Sequence, residues 1–431
     1  MKKLIALLLA LLCLCSACCM SESLTPDLTL DRVVILSRHN IRSPMSGSGS
    51  LLSGITPHTW FQWTSKPSEL SLRGAVLETM MGQYFRLWLE GEGFIPENYR
   101  PAEGEVRFYA NAKQRTQATA HYFSAGLLPV GQVSIETHAE YDTMDETFNP
   151  VLHFVTDDYA QDVMEEIAAQ GGEAGLKGLH ADVKDALSLL MDVADIDQSE
   201  AYKAGEYGDL MSDETEIVLV PGKEPAMNSA LRRGTSVADA LILQYYEEAD
   251  ARKAAFGHDL TDADWALIHS IADKYTEALF GTPLLAVNAA HPLLQELRAE
   301  LTAEGRRFSF LCGHDSNLCS VLAALGVEEY LLPEAVEQQT PIGSKIVFER
   351  WTDGTGKAWY KVSLVYQTVA QLRRMDQLTM ENPPAKYPLS FAGAAADANG
   401  LIPEEDLLKL FDDVINAYDD LLAEYTMDNA A

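Results

Sequence analysis

The stretch Val33-Val34-Ile35-Leu36-Ser37-Arg38-His39-Asn40-Ile41-Arg42-Ser43-Pro44 decides how the rest of the chain is read. Its unbroken apolar start has the pattern of a strand buried on both faces, as in a parallel sheet. Pro44 and the Gly/Ser tract at 46–50 then break regular structure. A histidine flanked by two arginines therefore falls where a strand gives way to a loop. In an open α/β sheet that carboxyl edge is where ligands bind. Two guanidiniums beside an imidazole repel it and lower its pKa, unless an anion lies among them. On these residues alone, an exposed basic turn is as good a reading as a phosphate site.

Two further stretches repeat the arrangement. Val106-Arg107-Phe108-Tyr109-Ala110 reads as a strand. A helix predicted over 111–127, with Asn111 as its N-cap, follows it directly. Arg115 then lies near the start of that helix, a favourable place for an anion. Downstream, Arg307-Phe308-Ser309-Phe310-Leu311-Cys312 reads as another strand. Gly313-His314-Asp315-Ser316-Asn317 follows as a turn, and 318–325 starts the next helix. By itself His314-Asp315 is better explained as a capping turn. Three basic or His/Asp placements at one sheet edge favour a site instead.

The chemistry those residues suit is phosphoryl transfer through a histidine. Arg38, Arg42 and Arg115 offer forked N–H donors to phosphoryl oxygens, and His314 offers a further donor. His39, if neutral, can attack phosphorus in line and form a phosphohistidine. Asp315 can protonate the leaving oxygen and then assist water. The arginines supply the positive charge and no metal-ligand spacing stands out, so neither metal nor cofactor is expected.

Around these edges the fold expected is α/β. A central, mainly parallel sheet flanked by helices carries an inserted, mostly helical domain. The core halves are 21–140 and 284–431, and the insertion is 141–283. Residues 71–90 read as an amphipathic helix with Leu77, Met81, Tyr84 and Trp88 on its apolar face. Helices are expected within the insertion at 157–169, 178–195, 231–248 and 261–280. Beyond it come a helix at 292–304, a hairpin of strands 346–351 and 359–366, and a last helix at 403–423. Two tempting motifs fail. Gly354-Thr355-Gly356-Lys357 is followed by Ala358, and position 351 is Trp, so the nucleotide-loop pattern breaks. Asp397-Ala398-Asn399-Gly400 has Ala395 where a calcium loop needs its first ligand. Both are predicted to be turns.

The formal net charge of −32 repels nucleic acid and anionic lipid headgroups, so neither is expected as a partner. It also repels an anionic substrate at long range, so any phosphate site must be a local concentration of arginine. Residues 1–20 form a targeting leader, with Lys2-Lys3, an apolar run at 4–15, and Ser16-Ala17 before Cys18. Export to a bacterial periplasm or cell envelope is expected. Cys15-Ser16-Ala17-Cys18 resembles a lipoprotein cleavage box, which favours a lipid on Cys18 over a cleaved soluble form. Of six cysteines, only Cys312 and Cys319 lie outside the leader. Both are read as small buried hydrophobes rather than a disulfide. The oligomeric state is left open.

Arg38-His39-x-x-Arg42-x-Pro44 together with His314-Asp315 resembles the histidine acid phosphatases, branch 2 of the histidine phosphatase superfamily, which includes bacterial phytases. The resemblance extends from about residue 31 to the final helix. It is nearest to the periplasmic glucose-1-phosphatases, which likewise carry Asn rather than Gly after the nucleophile, here Asn40. Gln114-Arg115-Thr116, Thr143-Met144-Asp145 and Thr340-Pro341-Ile342-Gly343 are similar as well. The resemblance implies an acid-phosphatase-like fold and a phosphate-monoester hydrolase. It implies His39 as nucleophile, Asp315 as proton donor, and Arg38, Arg42, Arg115 and His314 as phosphate ligands. It also points to Glu224 as a residue of the helical part that contacts and restricts the substrate. The substrate implied is a small phosphate ester, glucose 1-phosphate before phytate. A broad phytase and a silent sugar-phosphate binder are the alternatives, and the intact His39/Asp315 pair argues against the second. One disulfide common in relatives is replaced by Ala394 and Ile402, and the loop at 51–68 is only loosely similar.

Overall fold

The apolar run at 33–36 is the centre of strand β1 (Thr29–Arg38). Alternation sends Val33 and Ile35 into one buried cluster and Val34 and Leu36 into another. Burial on both faces demands helices on both sides of the sheet. The computed structural model, which describes residues 28–45 and 50–427, supplies them. The expected leader, with Cys18, lies outside those residues.

Ser71 caps the first helix through its hydroxyl, which accepts from the Gly74 N–H, and α1 runs Leu72–Gly91. Strand β2 (Val106–Ala110), helix α2 (Gln114–Leu127) and strand β3 (Ile135–Glu136) follow. Helices α3 (Asp157–Ala169), α4 (Leu176–Asp182) and α5 (Lys184–Val193) lead to a hairpin of β4 (Thr215–Val218) and β5 (Ala226–Ser229). Then come α6 (Ala230–Glu247), α7 (Asp262–Thr276) and α8 (Pro283–Thr302). Strand β6 (Phe308–Gly313) and helix α9 (Asp315–Ala324) return the chain to the sheet. The hairpin β7 (Lys345–Thr352) and β8 (Ala358–Tyr366), the short β9 (Ala385–Pro388) and β10 (Ile402–Pro403), and α10 (Glu404–Met427) complete it.

The main sheet is mixed, in the order β10-β8-β7-β1-β6-β2-β3, with β9 alongside β8. Its neighbours β1, β6, β2 and β3 are parallel, whereas β7 is antiparallel to both β1 and β8. On one face, Met81 and Phe85 of α1 and Phe123 of α2 pack on Ile35 and Phe310. On the other, Leu297 of α8, Leu318 of α9 and Phe411 of α10 pack on Leu36 and Leu311. A third cluster joins α3 to α7 through Tyr159, Leu187, Leu241 and Trp265.

Several boundaries differ from expectation. Helix α8 begins at Pro283 and runs through Pro292, which the sequence places at its start. The buried Ala289, Ala290, Leu293 and Leu294 hold both halves against the core across the missing N–H. The helix expected at 178–195 breaks at Val183, and the one expected at 261–280 ends in a π-turn over Glu277–Gly281. The β4–β5 hairpin is new. Its strands are short and half exposed, so they carry no apolar run. Cys312 and Cys319 are buried free thiols. At 353–356 and 397–400 the chain turns, each time with an Asp Oδ1 accepting the backbone N–H two residues on.

Candidate active site

Register brings the three sheet-edge clusters together. Arg38 lies opposite Gly313, and Ala110 lies opposite Cys312. The ladder continues one step further. His39 N–H donates to the Gly313 carbonyl (3.1 Å) and Asn111 N–H to that of Cys312 (2.9 Å). His39, His314 and Asn111 thus leave adjacent strand ends side by side.

His39 is 2 % exposed. Its Nδ1 lies 2.9 Å from the Asn40 carbonyl oxygen. A carbonyl can only accept, so Nδ1 carries the proton and Nε2 holds the free lone pair. Burial, then Arg115, His314, Arg42 and Arg38, hold the imidazole well below the usual histidine range. The ring is therefore neutral at mildly acidic pH, as a nucleophile must be.

His314 sits edge-on to His39, with ring centroids 5.5 Å apart. Asn111 orients it. Asn111 Oδ1 accepts the Asp145 N–H (3.0 Å), which leaves Nδ2 to donate to His314 Nε2 (2.7 Å). Arg115 Nη2, an obligate donor, lies 3.2 Å from the other ring nitrogen, Nδ1. Burial first, and then Arg115, keep this ring uncharged as well. That double use explains why Asn111 does not cap α2, which starts instead at Gln114.

The arginines meet carboxylates. Arg38 Nη1 donates to Glu337 and to the Thr340 carbonyl, while Nη2 lies 3.2 Å from Asp315 Oδ2. Both Nη nitrogens of Arg42 donate to Asp239 at 3.2 Å. Yet the Nε atoms of Arg38, Arg42 and Arg115 are buried and have no acceptor in the protein. Arg115 is pushed down to about 10, by burial and then by Arg42. Three orphaned guanidinium donors make a place for an anion. A phosphate would satisfy them and release Asp239 and Asp315.

Asp315 is the first residue of α9, whose start is set by Asn317 Oδ1 accepting the His314 N–H. The helix therefore begins at 315 and not at the expected 318. Desolvation raises the Asp315 carboxyl, but the Arg38 and Arg42 guanidiniums outweigh it and bring it down to about 2. Glu224 arrives from the loop between β4 and β5. There the Lys223 carbonyl accepts from Leu152 N–H and ties the loop down. Arg38, Arg42, Glu224, Asp239, Asp315 and Thr340 are among the residues lining a cleft of about 370 Å³. Desolvation, and then Asp315, raise the Glu224 carboxyl, against a pull from Arg115.

The sequence reading named Arg38, His39, Arg42, Arg115, His314, Asp315 and Glu224, and the structure brings all of them to this cleft or its buried end. It missed Asn111's part, Asp239 on α6, and Glu337, which also accepts from the Tyr246 hydroxyl (3.0 Å). Among the described residues, no group of three or more His, Cys, Asp or Glu side chains is placed to hold a metal ion.

Comparison with known proteins accords with this geometry. The histidine phosphatase superfamily (branch 2) matches residues 29–201 and 242–367. The glucose-1-phosphatase of Salmonella typhimurium strain LT2 is 35 % identical over 419 residues, covering 96 % of this chain and 98 % of its own. That of Providencia rettgeri is also 35 % identical, covering 89 % and 91 %. Among solved structures, the phytase of Citrobacter braakii superposes with a TM-score of 0.80 at 27 % identity, covering 91 % of this chain and 98 % of its own.

Proposed function

Because this chain belongs to branch 2 of the histidine phosphatase superfamily and is a phosphatase, we propose that it hydrolyses glucose 1-phosphate through a phosphohistidine on His39. The observation that carries the reading is the set of three orphaned arginine Nε donors around a neutral imidazole whose Nε2 is free. The phosphoryl group of the substrate takes the donors of Arg38, Arg42, Arg115 and His314. His39 Nε2 forms a bond to phosphorus as the bond to the sugar oxygen breaks, and Asp315 gives that oxygen its proton. Water then attacks the phosphohistidine and Asp315 takes the proton back. The N–P bond breaks and inorganic phosphate leaves. Bound phosphate cancels the pull of the arginines on Asp315, so the carboxyl rises towards the acidic range in which it can hold a proton.

Glucose 1-phosphate is favoured over phytate for two reasons. Relatives at 35 % identity are glucose-1-phosphatases. The cleft also presents Glu224 and Asp239, and carboxylates repel the remaining phosphates of a polyanion. Slow attack on phytate is retained as a second activity, on the likeness to the Citrobacter braakii phytase. The test is phosphate release at acidic pH from glucose 1-phosphate, phytate and other sugar phosphates, with phosphohistidine trapped under alkaline quench. Glu224→Ala should raise the phytate-to-glucose-1-phosphate ratio of kcat/KM by roughly tenfold, the scale of one removed repulsive contact. An unchanged ratio would take Glu224 out of that role. No trapped phosphohistidine in the wild type would leave only a binding protein.

Lys2-Lys3, the apolar run at 4–15 and Cys18 support export to the periplasm or cell envelope, with Cys18 carrying the lipid. Cys18→Ser should move the protein from the membrane fraction to the soluble one; an unaltered distribution would refute the anchor.

A further inference from the structure

Behind His39 lies a closed circuit of buried contacts that takes no part in the phosphate cage. The Asn40 carbonyl accepts from His39 Nδ1 (2.9 Å), and the Asn40 side-chain Nδ2 donates to Glu78 Oε2 (2.8 Å). Glu78 Oε1 pairs with Lys345 Nζ at 2.8 Å, and both side chains are 0 % exposed. Lys345 Nζ donates to the Gly343 carbonyl (2.9 Å). Gly343 N–H donates to the His39 carbonyl (3.1 Å), which closes the ring. The Asn40 amide is walled in. Its Oδ1 accepts the Ile41 N–H (2.8 Å). A side chain at Gly343, whose φ is +69°, would place Cβ 2.5 Å from Asn40 Nδ2.

A fully buried ion pair is a poor device for stability, because desolvation of two charges tends to exceed their attraction. Its position suggests another use. If the Asn40 peptide turned, its carbonyl would leave Nδ1, and the imidazole proton could move to Nε2. That tautomer has no lone pair where phosphorus must be attacked. We infer that Asn40, Glu78 and Lys345 are positioning residues that lock His39 in its Nδ1–H tautomer. This rests on His39 being the nucleophile.

The double variant Glu78→Met/Lys345→Met removes the pair without stranding a charge, and Asn40→Ala cuts the tether while leaving the pair. For both, kcat on glucose 1-phosphate should fall by about ten- to a hundredfold, the usual effect of losing an orienting partner. KM should stay within about threefold, since the arginines are untouched. In ¹⁵N-histidine NMR of the unliganded protein, wild-type His39 should be a single Nδ1–H species and both variants mixtures. Folded variants with wild-type kcat, or with slowed kcat but an unmixed tautomer, would overturn the inference. If the double variant does not fold, Asn40→Ala decides alone. Failure of the wild type to form phosphohistidine would remove the proposed function, while the tautomer spectra would still judge the lock.

Discussion

Asp315 occupies the most contested position in the site. A group held at about 2 by Arg38 and Arg42, against its desolvation, is an ionised carboxylate in the free protein, yet a sugar alkoxide needs a proton to leave. The contradiction resolves if the substrate itself changes the balance, because phosphate takes over the charge that Asp315 answers to in its absence. Asp315→Asn keeps the shape and loses the proton. Hydrolysis of glucose 1-phosphate should fall by roughly 10²–10⁴-fold, the range of general acid catalysis. p-Nitrophenyl phosphate, whose leaving group departs unprotonated, should lose clearly less. Equal losses would show that proton donation is not the residue's role. The partners that tune the cage were beyond sequence reading. Asp239 is 197 residues from Arg42, and Glu337 is 299 from Arg38. Neither lies in a local pattern that marks it.

At the scale of elements, what was legible followed from periodicity and what was not followed from tertiary contacts. The run at 33–36 reads as a buried strand because both of its faces are apolar, and the structure gives each face its own cluster. The helix at 157–169 has Thr156 accepting from Tyr159 N–H and a clear amphipathic pattern, and its ends fall as expected. Boundaries moved where a capping group was engaged elsewhere or a helix end was capped by a residue inside it. Asn111 holds His314 instead of capping α2, and Asn317 caps α9 from within its first turn. Pro292 reads as a helix start because proline suits the first turn, a place that Pro283 fills. The hairpin that delivers Glu224 could not be read at all. Thr-Glu-Ile-Val and Ala-Met-Asn-Ser have too little alternation to mark strands, so Glu224 entered only through the resemblance.

For the molecule as a whole, the decisive contrast is between a net charge of −32 and a cleft that must attract an anion. Two fields act on an approaching phosphate ester. The summed surface charge repels it over many ångströms, while Arg38, Arg42 and Arg115 attract it at contact. Salt weakens the first far more than the second. The Debye length falls from about 30 Å at 0.01 M to about 8 Å at 0.15 M, whereas buried charges in contact are screened much less. Raising sodium chloride over that range should therefore raise kcat/KM for glucose 1-phosphate, by about two- to threefold if roughly half a kcal/mol of repulsion is removed. Phytate, with several phosphates, meets the same field with a larger charge, so its kcat/KM should climb more steeply. A fall in kcat/KM for both substrates would mean that the arginine cage governs encounter as well as binding, and that the acidic surface does not reach the cleft mouth. The slope for phytate also bears on Glu224. If Glu224→Ala lifts phytate turnover without flattening its salt dependence, the repulsion at Glu224 acts at contact, inside the cleft, and the long-range field belongs to the rest of the surface.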